Sequence, residues 1–299
     1  MKIKKSKVKF HCEPLLKREN VITVWGIKGG VGKSTTSALI AASSAFKSKR
    51  RTLLIDADFR DGASRFFLGE RARNLKGWYD VLEIGGSLDD YTHVLGDGLL
   101  HVIPSGTLDS AIKYSEEIMR YGIPHAARKV AQTLFEISEF YDLIVFDTPA
   151  ASFADIPILK CVIESLNARS VLLSQASITE IERTLRIAEA AMGTLPDIFV
   201  INQITPRILT DVNERRLLMN EIMNIVARNV KVLTIPFMSK LYKRILWESS
   251  EVQVLLECIA YLIWGKGRPQ VCTISTRGLM TVDLAKSIAS IRGKEENVQ

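Results

Sequence analysis

A glycine-rich run, Gly26 to Thr35, is the segment of this sequence with the clearest chemical meaning. It follows an apolar run at residues 21–25 and precedes a segment with a helical apolar period. Glycines in such a loop let consecutive backbone N–H groups turn toward one anion, and the following helix adds the positive end of its dipole. At this spacing Lys33 would contact the outer phosphates of a nucleotide, and the Ser34 hydroxyl would coordinate Mg²⁺. The sequence therefore predicts a phosphate-binding loop.

Acidic residues stand at the ends of two other apolar runs. Asp56 and Asp58 follow residues 52–55, and Asp147 follows residues 143–146. Ligands of parallel sheets bind at the carboxyl ends of the strands, where these acids would lie. Phosphoryl transfer needs a metal ion near the phosphates and a positioned nucleophile, and carboxylates serve both needs. A solvated turn is the alternative explanation for the Asp-x-Asp spacing.

Near-continuous apolar runs alternate with longer segments of helical period along most of the chain. Such runs are typical of strands buried on both faces of a sheet, and their alternation with helices indicates βαβ units. The predicted strands are residues 21–25, 52–55, 100–103, 143–146, 170–173, 198–201 and 232–235. The predicted helices are residues 33–46, 108–120, 124–138, 156–166, 178–192, 211–229 and 252–264. We therefore expect an α/β fold with a doubly wound, mostly parallel sheet and helices on both faces.

The run from Lys28 to Ser34 resembles the deviant Walker A motif, K-G-G-x-G-K-[ST], of the ParA/MinD family of P-loop ATPases. Ile27 stands where the strict Walker A motif has its first glycine, which this family does not require. The resemblance covers roughly residues 20–265 and implies ATP and Mg²⁺ as cofactors and ATP hydrolysis as the reaction. In the motif the nucleotide would be bound by Lys28, Gly29, Gly30, Val31, Gly32, Lys33, Ser34 and Thr35.

Two further segments, residues 54–58 and 147–149, resemble the switch I and the Walker B and switch II motifs of the family. The resemblance implies that Asp58 positions the attacking water and is catalytic together with Lys28 and Lys33. It also implies that the metal side of the site consists of Ser34, Asp56 and Asp147. Both segments then depart from the family pattern, at residues 59–62 and 150–152.

Two residues after later strands are candidates for contacts with the nucleotide base. The family commonly places an asparagine against adenine at the position of Asn202, and a proline near the nucleotide at that of Pro236. The asparagine amide has one donor and one acceptor group, which suits the edge of a base. An asparagine that caps a turn is the alternative for Asn202.

Lys28 is the signature lysine of the motif. In relatives this lysine crosses a face-to-face dimer to the phosphates bound by the other subunit, so the resemblance implies a homodimer with ATP at its interface. A further cation on the phosphates would also stabilise the charge of the transition state. A lysine that serves its own subunit is the alternative.

The net charge of +7 is concentrated at the two ends of the chain. Residues 1–19 carry +5 and residues 266–299 carry +3, while the remainder sums to −1. Because the run from Gly265 to Pro269 is a strong helix stop, we predict a P-loop ATPase domain at residues 20–265 between basic extensions at 1–19 and 266–299. Such extensions contact polyanions or serve as solubilising tails. Basic residues also outnumber acids between positions 207 and 244.

Several functions are built on this fold. Partition ATPases coat DNA without sequence preference until a cargo-bound, ParB-like partner stimulates hydrolysis, whereas MinD-like positioning ATPases dock a C-terminal amphipathic helix on a membrane. Metallocluster carriers need paired cysteines, which are absent between the phosphate-binding loop and Asp147. Residues 101–106 and the basic extensions favour the ParA/Soj-type partition branch; the alternative is the MinD-like type, because Leu284, Ile288 and Ile291 share a helical face. We expect a cytoplasmic, DNA-segregating homodimer without a stable membrane anchor.

Overall fold

A mostly parallel sheet runs through the part of the chain that the structure describes. The structure is a computed structural model, and it describes Leu15, residues 18–60, 62–150, 155–241 and 244–265, and two short segments at 273–275 and 278–280. Within these residues the strands are β1 (Val21–Trp25), β2 (Thr52–Asp56), β3 (His93–Leu95), β4 (Leu100–Ile103), β5 (Leu143–Asp147), β6 (Arg169–Gln175), β7 (Ile198–Ile204), β8 (Lys231–Pro236), β9 (Thr273–Ser275) and β10 (Gly278–Met280).

Helices connect most of these strands. They are α1 (Lys33–Ala42), α2 (Arg65–Leu68), α3 (Trp78–Ile84), α4 (Leu108–Tyr121), α5 (Ile123–Ile137), α6 (Asp155–Leu166), α7 (Ile178–Met192), α8 (Pro206–Thr210), α9 (Val212–Ala227) and α10 (Ser250–Trp264). The helix α1 continues as a π-helical turn at Ser43–Lys47. No helix among the described residues is both long enough and apolar enough to cross a membrane.

The strand order is β3-β4-β2-β5-β1-β6-β7-β8-β10-β9. The chain therefore winds outward from β1 in one direction through β2 and β4, and in the other through β6, β7 and β8. In the parallel register, Asp147 at the end of β5 lies opposite Asp56 in β2 and Val24 in β1. The loop after β1 thus opens at the carboxyl edge where the winding reverses, which is where doubly wound sheets bind their ligands.

Both faces of the sheet are covered by helices. Ile22 and Val24 of β1 belong to a core that also contains α1 and α10, whereas Val21 and Trp25 belong to cores on the other face, built with α5, α6, α7 and α9. Every residue of β1 is buried, since successive side chains of a strand alternate between the faces. The predicted doubly wound α/β fold and the seven predicted strands are confirmed.

The strands beyond the seven predicted ones are short. The strand β3 pairs antiparallel with β4, and β9 and β10 form an antiparallel pair whose second strand lies parallel to β8. A three-residue strand is too short for a period-2 pattern to be recognised. The two predicted extensions fall largely outside the described residues, so the domain boundaries at 20 and 265 stay predictions.

Candidate functional site

The loop between β1 and α1 turns sharply at two glycines. Gly30 has a φ of 73° and Gly32 a φ of 94°, in the left-handed region that favours glycine. Gly32 is the residue that precedes α1, and its carbonyl accepts the first helical hydrogen bond from the Thr36 N–H at 2.9 Å. The loop therefore runs directly into the start of a helix. Its backbone N–H groups and the positive end of the helix dipole lie together, as a phosphate-binding loop requires.

Two amide side chains at the end of β7 hold this loop. Asn202 Nδ2 donates to the Val31 carbonyl at 2.9 Å, and Gln203 Nε2 donates to the Gly30 carbonyl at 3.1 Å. A Cβ on Gly32 would overlap the Asn202 amide, so only glycine fits there. Asn202 Oδ1 also accepts from the Gln203 N–H, so both halves of its amide are bonded within the protein. The structure brings Asn202 to the loop, and its predicted contact with a base stays a prediction.

Lys33 and Ser34 begin α1 and face Asp147. Lys33 is only 6% exposed, and its charge lowers the pKa of Asp147. The Ser34 hydroxyl is hydrogen-bonded to the Asp147 carboxylate. One turn further along α1, Ser37 Oγ donates to Asp147 Oδ1 at 2.7 Å. The structure therefore groups the predicted lysine, hydroxyl and carboxylate at the start of one helix.

Asp56 holds the segment that follows β2. Its carboxylate accepts from the Asp58 N–H at 3.0 Å, from the Ser64 N–H at 2.9 Å and from Ser64 Oγ at 2.6 Å. Asp147 Oδ2 accepts from the Ala63 N–H at 3.1 Å in the same segment. The two buried carboxylates thus tie the loop after β2 to the helix α1.

The pKa values of both acids are raised. Burial raises the pKa of Asp56 to about 7 from its ordinary 3.8, and the neighbouring charge of Asp147 adds to the effect. Burial likewise raises the pKa of Asp147 to about 6, against hydrogen bonds from Ser37 and Ser34 and the charge of Lys33. Since desolvation disfavours the charged form, this pair would be stabilised as a dianion by a cation bound beside it.

The Asp147→Asn variant tests this electrostatic arrangement. A carboxyl whose pKa is raised in the folded state binds its proton more tightly there than in the unfolded chain, so its contribution to stability is present near pH 4 and is lost as the pH rises through about 6 to 7. We expect the variant to gain on the order of 2 kcal/mol in free energy of unfolding, relative to wild type, between pH 4 and pH 8.

The measurement is urea denaturation at several pH values without nucleotide or metal. Taking the difference between the two proteins removes the contribution of His93 and His101, whose pKa values are lowered by burial in both. A difference that stays constant from pH 4 to pH 8 would contradict the raised pKa values.

A cavity of about 1030 Å³ opens over the loop. Asp58 lines it and accepts a hydrogen bond from the Arg60 N–H at 3.1 Å. Phe237 and Tyr79 lie on its walls, and the Tyr79 hydroxyl donates to the Ala57 carbonyl at 2.9 Å. The predicted site residues among its lining are Gly29, Gly30, Gly32, Lys33, Ser34, Thr35, Asp58, Asn202 and Pro236.

The other predicted site residues lie behind or beside this cavity. Val31 is 2% exposed, and Asp56 and Asp147 are buried below the loop. A second cavity of about 820 Å³ lies at the opposite edge of the sheet, beside Asp142, Arg169 and Asp197 at the amino ends of strands. Since doubly wound sheets bind ligands at their carboxyl edge, the larger cavity is the candidate site.

Lys28 makes an ion pair within its own chain. Its Nζ lies 2.6 Å from the Glu180 carboxylate in the first turn of α7, and its side chain is 46% exposed. Arg183 Nη1 lies 3.9 Å from the same carboxylate. Lys28 is therefore held by a partly exposed contact with α7, and it is not among the residues that line the cavity.

Four residues of this site were not found from the sequence: Ser37, Ser64, Glu180 and Gln203. Ser37 had a usable signal, because it lies one helical turn after Ser34 and faces the same side of α1. Ser64, Glu180 and Gln203 act through contacts with distant parts of the chain, which no local pattern indicates.

The chain matches a family model described as the CobQ/CobB/MinD/ParA nucleotide binding domain over residues 22–250. Among curated proteins, the tyrosine-protein kinase wzc of Salmonella typhi is 25% identical over 196 residues, covering 66% of this chain and 23% of the kinase. The chain spans about one fifth of the length of the curated relatives it matches.

Two solved structures have the same fold. A plasmid partition protein from Borrelia burgdorferi bound to AMPPNP has a TM-score of 0.59 and 22% identity, with 84% of this chain and 98% of that chain covered. The septum site-determining protein MinD from Pyrococcus horikoshii, complexed with Mg-ADP, has a TM-score of 0.59 and 17% identity, with 84% and 96% covered.

Proposed function

Since this chain belongs to the CobQ/CobB/MinD/ParA nucleotide-binding domain family, we propose that it binds Mg-ATP in the 1030 Å³ cavity and hydrolyses it. The observation that carries the proposal is the loop itself. Two of its carbonyls accept hydrogen bonds from Asn202 and Gln203, while Lys33 is buried beside Asp147. A chain of phosphates could be bound here by the remaining N–H groups of the loop, the ammonium group of Lys33 and the start of α1.

The residues present fit Mg²⁺. Ser34, Asp56 and Asp147 offer oxygen ligands, directly or through water. Burial raises the pKa values of both acids, so a cation bound beside them would favour their charged forms. Within the described residues no group of three or more His, Cys, Asp or Glu residues could hold a metal ion alone. Mg²⁺ typically uses one or two carboxylates together with substrate phosphates and water, so it would be bound together with the nucleotide.

Hydrolysis in this proposal transfers the terminal phosphoryl group of ATP to water. Bound Mg²⁺ would supply charge neutralisation on the phosphates. Lys33 would bind the phosphate oxygens on which charge accumulates, and Asp58 would orient the attacking water from the cavity wall. Positioning and charge neutralisation are the main demands of this reaction, so no covalent intermediate with the protein is needed.

We further propose that the output is DNA partition by an ATP-bound homodimer, with release triggered by a cargo-bound partner protein. The Borrelia burgdorferi partition protein supports this choice, as do the basic extensions at residues 1–19 and 266–299 flanking the domain at 20–265. A DNA partner implies a cytoplasmic site of action. The MinD-like alternative is supported by the Pyrococcus structure, while the helical stripe that suggested it, from Leu284 to Ile291, lies outside the described residues.

Ion pairs within the chain bear on which basic residues are suited to the proposed DNA contacts. Several cations between positions 207 and 244 are already paired: Arg207 with Glu214 at 3.0 Å, Arg228 with Glu189 at 2.9 Å, and Lys240 with Glu251. Arg216, Lys231 and Arg244 are exposed, and within the described residues no ion pair within 4.0 Å engages them. These three are the better candidates for phosphate contacts.

A sedimentation assay with random-sequence DNA and with anionic liposomes, each with ATP, ADP or no nucleotide, tests the proposed output. We expect ATP-dependent binding to DNA that weakens steeply with salt, because Lys and Arg displace condensed counterions. In Arg216→Ala the slope of log K against log salt should fall by about one unit. The matched control is Arg207→Ala, whose guanidinium is already paired with Glu214.

Each alternative output has its own experimental signature. Binding to liposomes without binding to DNA would replace partition with membrane positioning. Transfer of phosphate from ATP to tyrosine on the chain itself, rather than release into solution, would instead favour the chemistry named for the Salmonella relatives.

A further inference from the structure

Gln203 adopts an unusual backbone conformation at the edge of the cavity. Its φ is +61°, a value that residues other than glycine rarely adopt. Such conformations cost free energy and persist only where the surrounding structure determines them, which is often at functional sites. Gln203 is the residue after Asn202 at the carboxyl end of β7, and its backbone N–H donates to Asn202 Oδ1 at 2.8 Å.

The side chain of Gln203 is bonded at both ends. Its Oε1 accepts from Gln175 Nε2 at 3.2 Å, and its Nε2 donates to the Gly30 carbonyl at 3.1 Å. Gln175 is the last residue of β6, next to β7 in the sheet. Because Gln175 Nε2 donates, the Oε1 atom of Gln203 must face Gln175. The Nε2 atom of Gln203 is then directed to the Gly30 carbonyl.

Holding a carbonyl also holds the N–H of the same peptide group. In a trans peptide the C=O and the N–H of the next residue lie in one plane and point in opposite directions. Gln203 on the Gly30 carbonyl therefore directs the Val31 N–H away from β7, and Asn202 on the Val31 carbonyl does the same for the Gly32 N–H. Two consecutive N–H groups are thus turned together, in the arrangement that forms an anion-binding concavity.

We propose that Gln203 is a positioning residue for the phosphates of the nucleotide, and that Gln175 supports it. The inference rests on the proposed binding of Mg-ATP. Gln203 acts through the Gly30–Val31 peptide, and its strained backbone is what places the amide of its side chain within reach of Gly30. The two residues orient the loop before the nucleotide arrives, so they affect phosphate affinity rather than the chemical step.

The Gln203→Asn variant separates this role from a structural one. Asparagine tolerates positive φ, so the backbone conformation is kept, but its side chain is one methylene shorter and cannot reach the Gly30 carbonyl. We expect the dissociation constant for Mg-ATP to rise about five-fold, the effect of one lost hydrogen bond, while the unfolding temperature without nucleotide stays at or above that of wild type. In steady state, KM should rise by the same factor with kcat unchanged, since the contact is equally present in the ground state and the transition state.

A double-mutant cycle with Gln175→Ala tests the support role. If Gln175 acts only through Gln203, the double variant should bind Mg-ATP no more weakly than Gln203→Asn alone. Lys49→Asn is the control for the backbone: it also places asparagine at a residue with positive φ, 53°, on the loop before β2. It removes only an exposed ion pair with Asp97 at 4.0 Å, so the dissociation constant of this variant should equal that of wild type.

The outcomes distinguish the proposed binding of Mg-ATP from the proposed positioning role of Gln203. A wild-type protein that does not bind Mg-ATP in calorimetry overturns the proposed function and this inference with it. Normal wild-type binding together with an unchanged dissociation constant in Gln203→Asn overturns this inference alone. So does a fall in kcat at constant KM, which would indicate loss of folded protein, and so do additive effects of the two glutamine variants.

Discussion

Replacing Lys33 by alanine should greatly weaken Mg-ATP binding while leaving the protein folded. Lys33 is the buried cation at the start of α1, 6% exposed, next to a carboxylate pair that carries net negative charge when ionised. Each charge-assisted hydrogen bond to a phosphate oxygen contributes about 1.5–3 kcal/mol. Losing two of them, and leaving the acids uncompensated beside the phosphates, should weaken binding roughly 100-fold or more.

Calorimetry with Mg-ATP measures this effect, and Lys47→Ala is its control. Lys47 lies in the π-helical turn that continues α1, and its Nζ is 3.5 Å from Glu257 of α10. Neither residue lines the cavity. Removal of the Lys47 side chain should leave the dissociation constant unchanged. If Lys33→Ala bound Mg-ATP as tightly as wild type, the loop would not be the phosphate site and the proposed function would fail.

Much of the fold could be predicted because its strands are buried on both faces. Residues 21–25, 143–146 and 198–201 are continuous apolar runs for this reason, and each was placed within three residues of the observed strand ends. The acids could be predicted to meet because parallel strands end at the same edge, and Asp56 is indeed registered opposite Asp147. Local pattern and topology were sufficient there.

The contacts that shape the loop could not be predicted from local patterns. Gln203 and Gly30 are 173 residues apart, and Asn202 and Val31 are 171 apart, so their meeting depends on how β7 is placed beside β6 and β1. The positive φ of Gln203 has no sequence signal either, since glutamine is not a residue that favours it. Asn202 was predicted at the correct strand end, but its bond to the loop was not anticipated.

The same limit applies to the segment between β2 and β4. No regular period marks α2, α3 or β3, because short elements are held by contacts with the rest of the protein rather than by propensity. Asp80 illustrates this: it is buried, and hydrogen bonds from Ser110, Gly77 and Thr107 lower its pKa despite burial. That acid anchors α3 to the start of α4, a role that its sequence neighbours do not indicate.

Replacing Lys28 by alanine should abolish ATP-dependent dimers while leaving ATP binding by the monomer largely intact. In one chain Lys28 is directed to Glu180, on α7, and does not line the cavity that contains Lys33. Its loss should therefore change the monomer's dissociation constant for Mg-ATP little. If Lys28 instead reaches the phosphates bound by a second copy, the dimer loses a charge-assisted contact that only the ATP-bound state provides.

Sedimentation velocity with and without ATP measures the dimer fraction, and Glu180→Gln is the matched control. This variant removes the acceptor charge from the ion pair and keeps the lysine. Ion pairs between partly exposed side chains are weak, so Lys28 should leave Glu180 readily for the stronger negative charge of phosphates, and Glu180→Gln should dimerise at least as well as wild type. Normal dimers in Lys28→Ala would refute the intersubunit role. Loss of dimers in Glu180→Gln as well would show that dimerisation depends on the Lys28–Glu180 pair itself, because only then would removing either partner have the same effect.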